Sequence, residues 1–128
     1  MSIERIQPSG LNNGPTYTQV VKATGTTVYI AGQTPVDAQG NVVGRGDITA
    51  QTEQVMANIG KALASVGAGY DKLVKTTVFI TDARYREAVG NVRNKYLAGH
   101  LPTSTLLVVA GLAQPEFLLE IEAIAVLD

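Results

Sequence analysis

Residues 117–126 read Phe-Leu-Leu-Glu-Ile-Glu-Ala-Ile-Ala-Val, and their pattern is the main indicator of the fold. Side chains alternate across a β-strand, so Phe117 and every second residue after it share one face. The opposite face begins at Leu118 and carries Glu120 and Glu122 among large aliphatic residues. Both faces are apolar enough to need cover, which predicts a strand inside a layered structure.

Two helices and four further strands are predicted before this segment. Apolar residues spaced by three and four follow Asp47, which indicates a helix that stops at Gly67. Asp82 is the predicted N-cap of a second helix that stops at Gly99. The β-branched and apolar runs predict five strands in all, the first two forming a hairpin: Thr16–Lys22, Thr27–Gln33, Leu73–Thr81, Thr103–Ala110 and Phe117–Val126.

The order β-β-α-β-α-β-β indicates an α+β fold with both helices on one face of a sheet. A single domain over residues 1–128 is expected from the length. Two helices cover only one face, and monomers rarely expose large apolar patches. Association of subunits with closed cyclic symmetry would bury the second face. A single-layer sheet with one partly wet face is the alternative.

The composition favours other subunits as partners and gives no reason to expect nucleic acid, a membrane or a metal. Charged residues make up only 16 % of the chain, against roughly 25 % in ordinary soluble domains, so part of the surface is expected to lie against other subunits. A net charge of −1 gives no reason to expect nucleic acid. No stretch approaches the roughly 20 apolar residues of a membrane span, and a cytoplasmic location without a membrane partner is expected. Without Cys, and with His100 as the only His, no metal site and no cofactor are predicted.

Four segments carry a recognisable pattern when they are taken in order. Gly14–Val21 reads G-P-T-Y-T-Q-V-V, Val28–Pro35 ends in A-G-Q-T-P, Pro102–Thr105 reads P-T-S-T, and Leu119–Val126 contains E-I-E-A-I-A. They resemble G-P-Y-S-Q-A-V, S-G-Q-x-P, P-A-R-S and the terminal strand of the YjgF/Rid (reactive intermediate deaminase) family. The resemblance covers nearly the whole chain in register.

The resemblance implies a chorismate-mutase-like, YjgF-like fold and a homotrimer with a small-molecule cleft at each of its subunit interfaces. In deaminating members, these clefts hydrolyse enamines and imines such as 2-aminoacrylate to keto acids and ammonia. An Arg binds the substrate carboxylate, and the Glu of the last strand positions the attacking water. A Tyr, the backbone beside the S-G-Q turn and a helical Asn complete the pocket.

Part of this site carries over to the present chain. Glu120 falls on the family Glu, Tyr17 on the Tyr and Gly32 on the Gly, while Ala31 replaces the Ser. Glu120 is the candidate catalytic residue, and a structural carboxylate held by backbone donors or an ion pair is the alternative. Tyr17 could cap the pocket or pack in the core. Gly32 is expected to allow close approach of its backbone to a ligand or to another strand.

The carboxylate-binding position departs from the family. Ser104 stands at the Arg and Gly90 at the helical Asn. A hydroxyl neither carries charge nor makes the paired hydrogen bonds of a guanidinium, so efficient hydrolysis of 2-imino acids is not expected. Arg93 of the second helix could supply the missing cation, or it could be a solvated residue on the helix flank. Ser104 and Thr105 could bind a neutral polar ligand or bond locally.

The sequence therefore predicts a Rid-family hydrolase or deaminase-like enzyme. Its substrate would be an imine, an enamine or a related small carbonyl derivative, with Glu120 orienting water. A trimer that binds or senses a small molecule without catalysis is the alternative. Ribonuclease action ranks last, because the chain lacks a basic patch, an aromatic stacking stretch and a His pair.

Overall fold

The computed structural model describes residues 2–128, and Met1 lies outside the described residues. Two 3₁₀ turns, Tyr70–Lys72 and Ala83–Tyr85, each lead directly into a longer element. The longer elements follow in the order β1 (Ser2–Ile6), β2 (Val20–Thr24), β3 (Thr26–Gln33), α1 (Ile48–Ala64), β4 (Leu73–Ile80), α2 (Arg86–Leu97), β5 (Thr103–Val108) and β6 (Leu119–Leu127). The predicted α+β class is confirmed.

Four of the strands form one mixed sheet in the order β3-β6-β4-β5. The strand β6 is antiparallel to both of its neighbours, and β4 runs parallel to β5. Every second residue of β6 is buried under the helices, as predicted, while Glu120 and Glu122 lie on the other face. The core is made by this face together with the apolar sides of α1 and α2.

The start of the chain differs from the prediction. The predicted order lacks β1, because Ile3 and Ile6 fall on opposite faces of residues 2–6 and leave no alternating pattern. The predicted hairpin is wrong: β2 pairs with β1, whereas β3 pairs with β6. Gly25, with φ of 138°, turns the chain between them. A Cβ there would overlap the carbonyl oxygen of Leu127, so only Gly lets the chain pass over the end of β6.

The helix boundaries follow cap chemistry. Asp47 accepts a hydrogen bond of 3.0 Å from the backbone N–H of Ala50 and caps α1, which begins directly after it. Asp82 does not cap α2 directly: it accepts from the N–H of Arg84 and caps the 3₁₀ turn that precedes the helix. The helix α2 ends where Ala98 adopts a left-handed conformation with φ of 49°.

A polar contact fixes α2 against α1. The carboxylate of Glu53 accepts hydrogen bonds from Lys95 Nζ at 2.5 Å and from the Tyr96 hydroxyl at 2.6 Å. The hydrogen bond from Lys95 is the main cause that lowers the pKa of Glu53, and the bond to Glu53 raises the pKa of Tyr96 to about 12. These hydrogen bonds help to fix the orientation of α2, one face of which contributes to the site described below.

Gln51 joins α1 to the beginning of β6. Its side chain is fully buried, donates 2.8 Å to the carbonyl of Glu116 and accepts 2.9 Å from the N–H of Leu118. We expect Gln51→Leu to lower the free energy of unfolding by about 2 kcal/mol, because both backbone groups lose their partner in a buried place. Urea denaturation of the variant beside Gln39→Leu, on an exposed turn, measures this. Equal stabilities would contradict the assigned role.

The face of the sheet opposite the helices is uncovered in the single chain. Tyr29 on β3 is 78 % exposed, and Leu107 on β5 is 40 % exposed. We call this surface, which holds Tyr29, Glu120, Glu122 and Leu107, the open face. Its cover by other subunits stays a prediction. Within residues 2–128, no helix has the length and apolar character needed to cross a membrane.

Candidate functional site

The larger cleft lies on the helix side of the sheet and has a volume of about 810 Å³. The loop at residues 12–17 forms one wall. The helix α2 forms a second wall, and β5 closes the cleft through Ser104 and Leu106. Three of the predicted site residues, Tyr17, Arg93 and Ser104, are brought together here.

Arg93 is a buried cation in the wall of this cleft. Its side chain is only 3 % exposed, which rules out the solvated flank position. One terminal nitrogen donates 2.7 Å to the carbonyl of Thr16, and the other donates 2.9 Å to the hydroxyl of Thr76. Its Nε is buried and has no hydrogen-bond partner within residues 2–128.

The charge of Arg93 is not compensated by the described part of the chain. None of the ion pairs formed by residues 2–128 includes it. Burial lowers the pKa of Arg93 to about 10, so the guanidinium is still protonated at neutral pH. A buried charge without a counter-ion is costly, and a bound anion would relieve that cost.

Ser104 lies beside this guanidinium rather than replacing it. The hydroxyl of Thr76, which accepts from Arg93, donates 3.2 Å to the Ser104 Oγ. Gly90, one turn before Arg93 on α2, leaves open space where a Cβ would stand. The residues at the positions of the family Arg and Asn, Ser104 and Gly90, are therefore small. The Arg93 side chain extends into the same region from α2.

Tyr17 lies in the wall of the larger cleft, and its role as a cap over a ligand stays a prediction. Its ring packs so closely on Gly14 that a Cβ there would meet the ring at 3.1 Å or less. Its hydroxyl is 3.4 Å from the carbonyl of Asn12, a long hydrogen bond that a ligand could replace. The ring thus supports the residue 12–17 loop over the cleft.

Glu120 lies on the open face, next to β3. The space beside Gly32 is occupied by the Glu120 carboxylate, because a Cβ at residue 32 would overlap Oε2. The close approach predicted for Gly32 is therefore made by a side chain of the adjacent strand. Within residues 2–128, no hydrogen bond or ion pair to the Glu120 carboxylate is formed, so it is not held by backbone donors there. Ala31, the residue before Gly32, is exposed on β3.

A second, smaller cavity of about 270 Å³ lies on the open face beside Ala31. Lys75, Thr77 and Glu122 line it. Glu122 forms no ion pair within residues 2–128. Thr105, paired with Thr77 across β4 and β5, is exposed on the same face, so Ser104 and Thr105 do not serve one pocket in a single subunit.

The candidate residues thus form two groups on opposite faces of one sheet. Thr76, the partner of Arg93, pairs with Ala123 on β6, and both are buried under the helices. Glu120 precedes Ala123 by three positions and therefore faces the other way. A single subunit cannot bring Glu120 and Arg93 to one ligand. Among residues 2–128, no group of three or more His, Cys, Asp or Glu side chains is placed to hold a metal ion.

Thr76 and Arg86 are site residues that sequence reasoning missed. Thr76 is a polar residue on the buried side of an apolar strand, and that position was a usable signal. Arg86 begins α2 and contributes to the wall of the larger cleft, together with Arg84 and Glu87. Arg86 and Arg93 are seven residues apart and therefore lie on one helix face, which the sequence spacing alone indicates.

Comparison with known proteins agrees with the fold and the motifs. The family description Endoribonuclease L-PSP matches residues 10–127. A RutC family protein of Pyrococcus horikoshii is 36% identical over 112 residues, which cover 88% of this chain and 86% of that protein. The 2-iminobutanoate/2-iminopropanoate deaminase of Mus musculus is 34% identical over 113 residues, which cover 88% and 82%.

A solved structure extends the match to the whole described fold. The Rid family protein YyfB of Yersinia pestis superposes with a TM-score of 0.91 at 31% identity, over 99% of this chain and 100% of that one. Sequence motifs, family description and structure all point the same way. The chain belongs to the YjgF/RutC/Rid family.

Proposed function

We propose that the protein hydrolyses small anionic imines or enamines in clefts between the subunits of a homotrimer. Glu120 of one subunit would orient the attacking water, and Arg93 of its neighbour would bind the anionic group of the substrate. The observation that carries the proposal is the buried guanidinium of Arg93, which lines a cleft with its Nε unpaired and no counter-ion within residues 2–128.

The chemistry requires one carboxylate, one water and one substrate. Glu120 accepts a proton from water as the water oxygen attacks the imine carbon, forming a C–O bond and a tetrahedral carbinolamine. The carboxylic acid then returns a proton to the nitrogen. The hydroxyl proton of the carbinolamine then passes through the Glu120 carboxylate to the nitrogen as the C–N bond breaks and the C=O bond forms, and ammonia and a carbonyl compound leave. An enamine enters the same sequence after protonation at carbon gives the imine.

Association is required because the two groups of residues face opposite ways. The open face has exposed apolar side chains on β3 and β5, and its burial against another copy would stabilise an oligomer. The same association would bring the Glu120 and Gly32 side of one subunit to the Tyr17 and Arg93 side of the next. Names among the relatives support the reaction, since the mouse protein is a 2-iminobutanoate/2-iminopropanoate deaminase.

Arg93 would bind the substrate carboxylate in place of the family Arg, because Ser104, which stands at that position, carries no charge. A guanidinium makes paired, charge-assisted hydrogen bonds to a carboxylate. Because its terminal nitrogens already bond Thr16 and Thr76, its orientation is fixed before a ligand arrives. The Nε is buried and has no partner within residues 2–128.

Mixed trimers test the composite cleft. Glu120→Gln and Arg93→Gln trimers are each expected to retain only about 1% of the parent rate on subsaturating 2-iminobutanoate made in place by an amino-acid oxidase. Unfolding and refolding the two together at equal concentration should restore about a quarter of the parent rate, because a random cyclic trimer pairs two intact halves in that share of its clefts. The measurement is ammonia or keto-acid formation above the uncatalysed rate.

Each outcome of the mixing experiment decides one point. Recovery only on mixing supports catalysis between subunits, and each variant refolded alone is the control. Absence of recovery in trimers that contain both subunits would overturn the shared cleft. A parent protein that accelerates hydrolysis of no imine, but is stabilised against heat by an unchanged ligand, would replace the enzyme with a binding or regulatory trimer.

A further inference from the structure

We infer that the cleft holds a second anion-binding position at Arg86, which makes the preferred ligand a small dianion rather than a simple monocarboxylate. This inference rests on the proposed function for the assignment of the cleft. A dicarboxylic imine, or an imine that carries a carboxylate and a second acidic group, is the substrate class that would satisfy both cations.

The geometry of α2 places the two guanidinium groups over one cleft. Arg86 and Arg93 are seven residues apart, which is about 10.5 Å along the axis and nearly two full turns, so they share one helix face. Both line the larger cleft. Gly90 lies between them, and the space beside its Cα is empty. A ligand of several carbons can therefore lie along the helix from one cation to the other.

The charges around the cleft favour a second negative group. Arg84, Arg86 and Arg93 line it, against the single carboxylate of Glu87. Arg84 is already neutralised by Asp82, whose carboxylate accepts from its Nε at 3.0 Å and from a terminal nitrogen at 2.6 Å. Arg86 forms no hydrogen bond or ion pair within residues 2–128, so it is the cation left to bind a ligand.

Two independent features thus point to the same class of ligand. Arg93 is a deeply buried cation whose Nε has no partner, and Arg86 is an exposed cation on the rim of the same cleft. A monocarboxylate would engage only one of the cations.

Binding of stable keto acids tests the inference without requiring turnover. We expect the purified protein to bind 2-oxoglutarate at least about tenfold more tightly than 2-oxobutanoate, measured by isothermal titration calorimetry, because only the former engages both cations. Arg86→Gln should bring the ratio of the two Kd values close to one. Arg86→Lys should keep part of the preference, since the charge remains. Lys61→Gln, on exposed α1 surface, should keep the ratio of the parent.

The outcomes separate this inference from the proposed function. Equal binding of both keto acids by the parent, or an unchanged ratio in Arg86→Gln, would overturn the second position and leave imine hydrolysis to be judged by the mixed trimers. Binding of neither keto acid would overturn it as well. A preference that disappears in Lys61→Gln would show that general surface charge, and not Arg86, is responsible.

Discussion

Replacing Glu120 with Gln is expected to lower kcat for imine hydrolysis by at least about 100-fold, because the amide cannot accept the proton of the attacking water. The change is nearly isosteric, so Gly32 still faces a side chain of the same size. KM should change little, since the anion is bound from the other half of the cleft. The measurement is steady-state hydrolysis of 2-iminobutanoate with the oligomeric state checked by light scattering.

Glu122→Gln is the matched control for this experiment. Glu122 lies two residues further along β6, on the same face, and is exposed. The Glu122→Gln variant loses one negative charge from the open face, as Glu120→Gln does, but it keeps the proposed proton acceptor. A Glu120→Gln enzyme with the rate of the parent would remove Glu120 from the mechanism. Equal losses in both variants would point to a general charge effect.

Replacing Arg93 with Gln is expected to lower kcat/KM for an anionic imine by about 100-fold, chiefly through KM, because a charge-assisted pair to the substrate is lost. Arg93→Lys should recover part of this, since it keeps the charge but not the planar arrangement of donors. Arg93 also bonds Thr16 and Thr76, so a folding effect has to be separated from the loss of ligand binding.

A neutral substrate makes that separation. The amide of 2-iminobutanoate lacks the carboxylate but keeps the reacting carbon, so Arg93→Gln should scarcely slow its hydrolysis. Arg45→Gln, which removes an exposed arginine elsewhere, controls for net charge. Equal losses on the charged and the neutral imine would mean that Arg93 only supports the fold around Thr76.

The fold was predictable wherever a pattern repeats along the chain. The alternation in residues 117–126 and the helical spacing after Asp47 identified β6 and α1, together with the buried side of each. The beginning of the chain was not predictable in the same way. Residues 2–6 have no period, and the pairing of β2 depends on the turn at Gly25 and on contacts with distant strands.

The motifs in the sequence indicate candidate site residues one by one but not how they are arranged in space. Sequence motifs identified Tyr17, Glu120 and Gly32, but only the register of the strands shows that Glu120 and Ser104 lie on opposite faces. The burial of Arg93 depends on Thr16 and Thr76, which come from segments far away in sequence. The helical spacing of α2 indicates which of its sides is buried, but not which residues pack against that side.

The contact between Gly32 and the Glu120 carboxylate has a consequence for how related sequences can diverge. Any side chain at position 32 would occupy the volume of the acid, so a larger residue there is tolerated only if position 120 shortens or turns away. The two positions should therefore co-vary across descendants of this protein. Lineages that lost the glycine should carry either a shorter residue at position 120 or an acid that is turned away from β3.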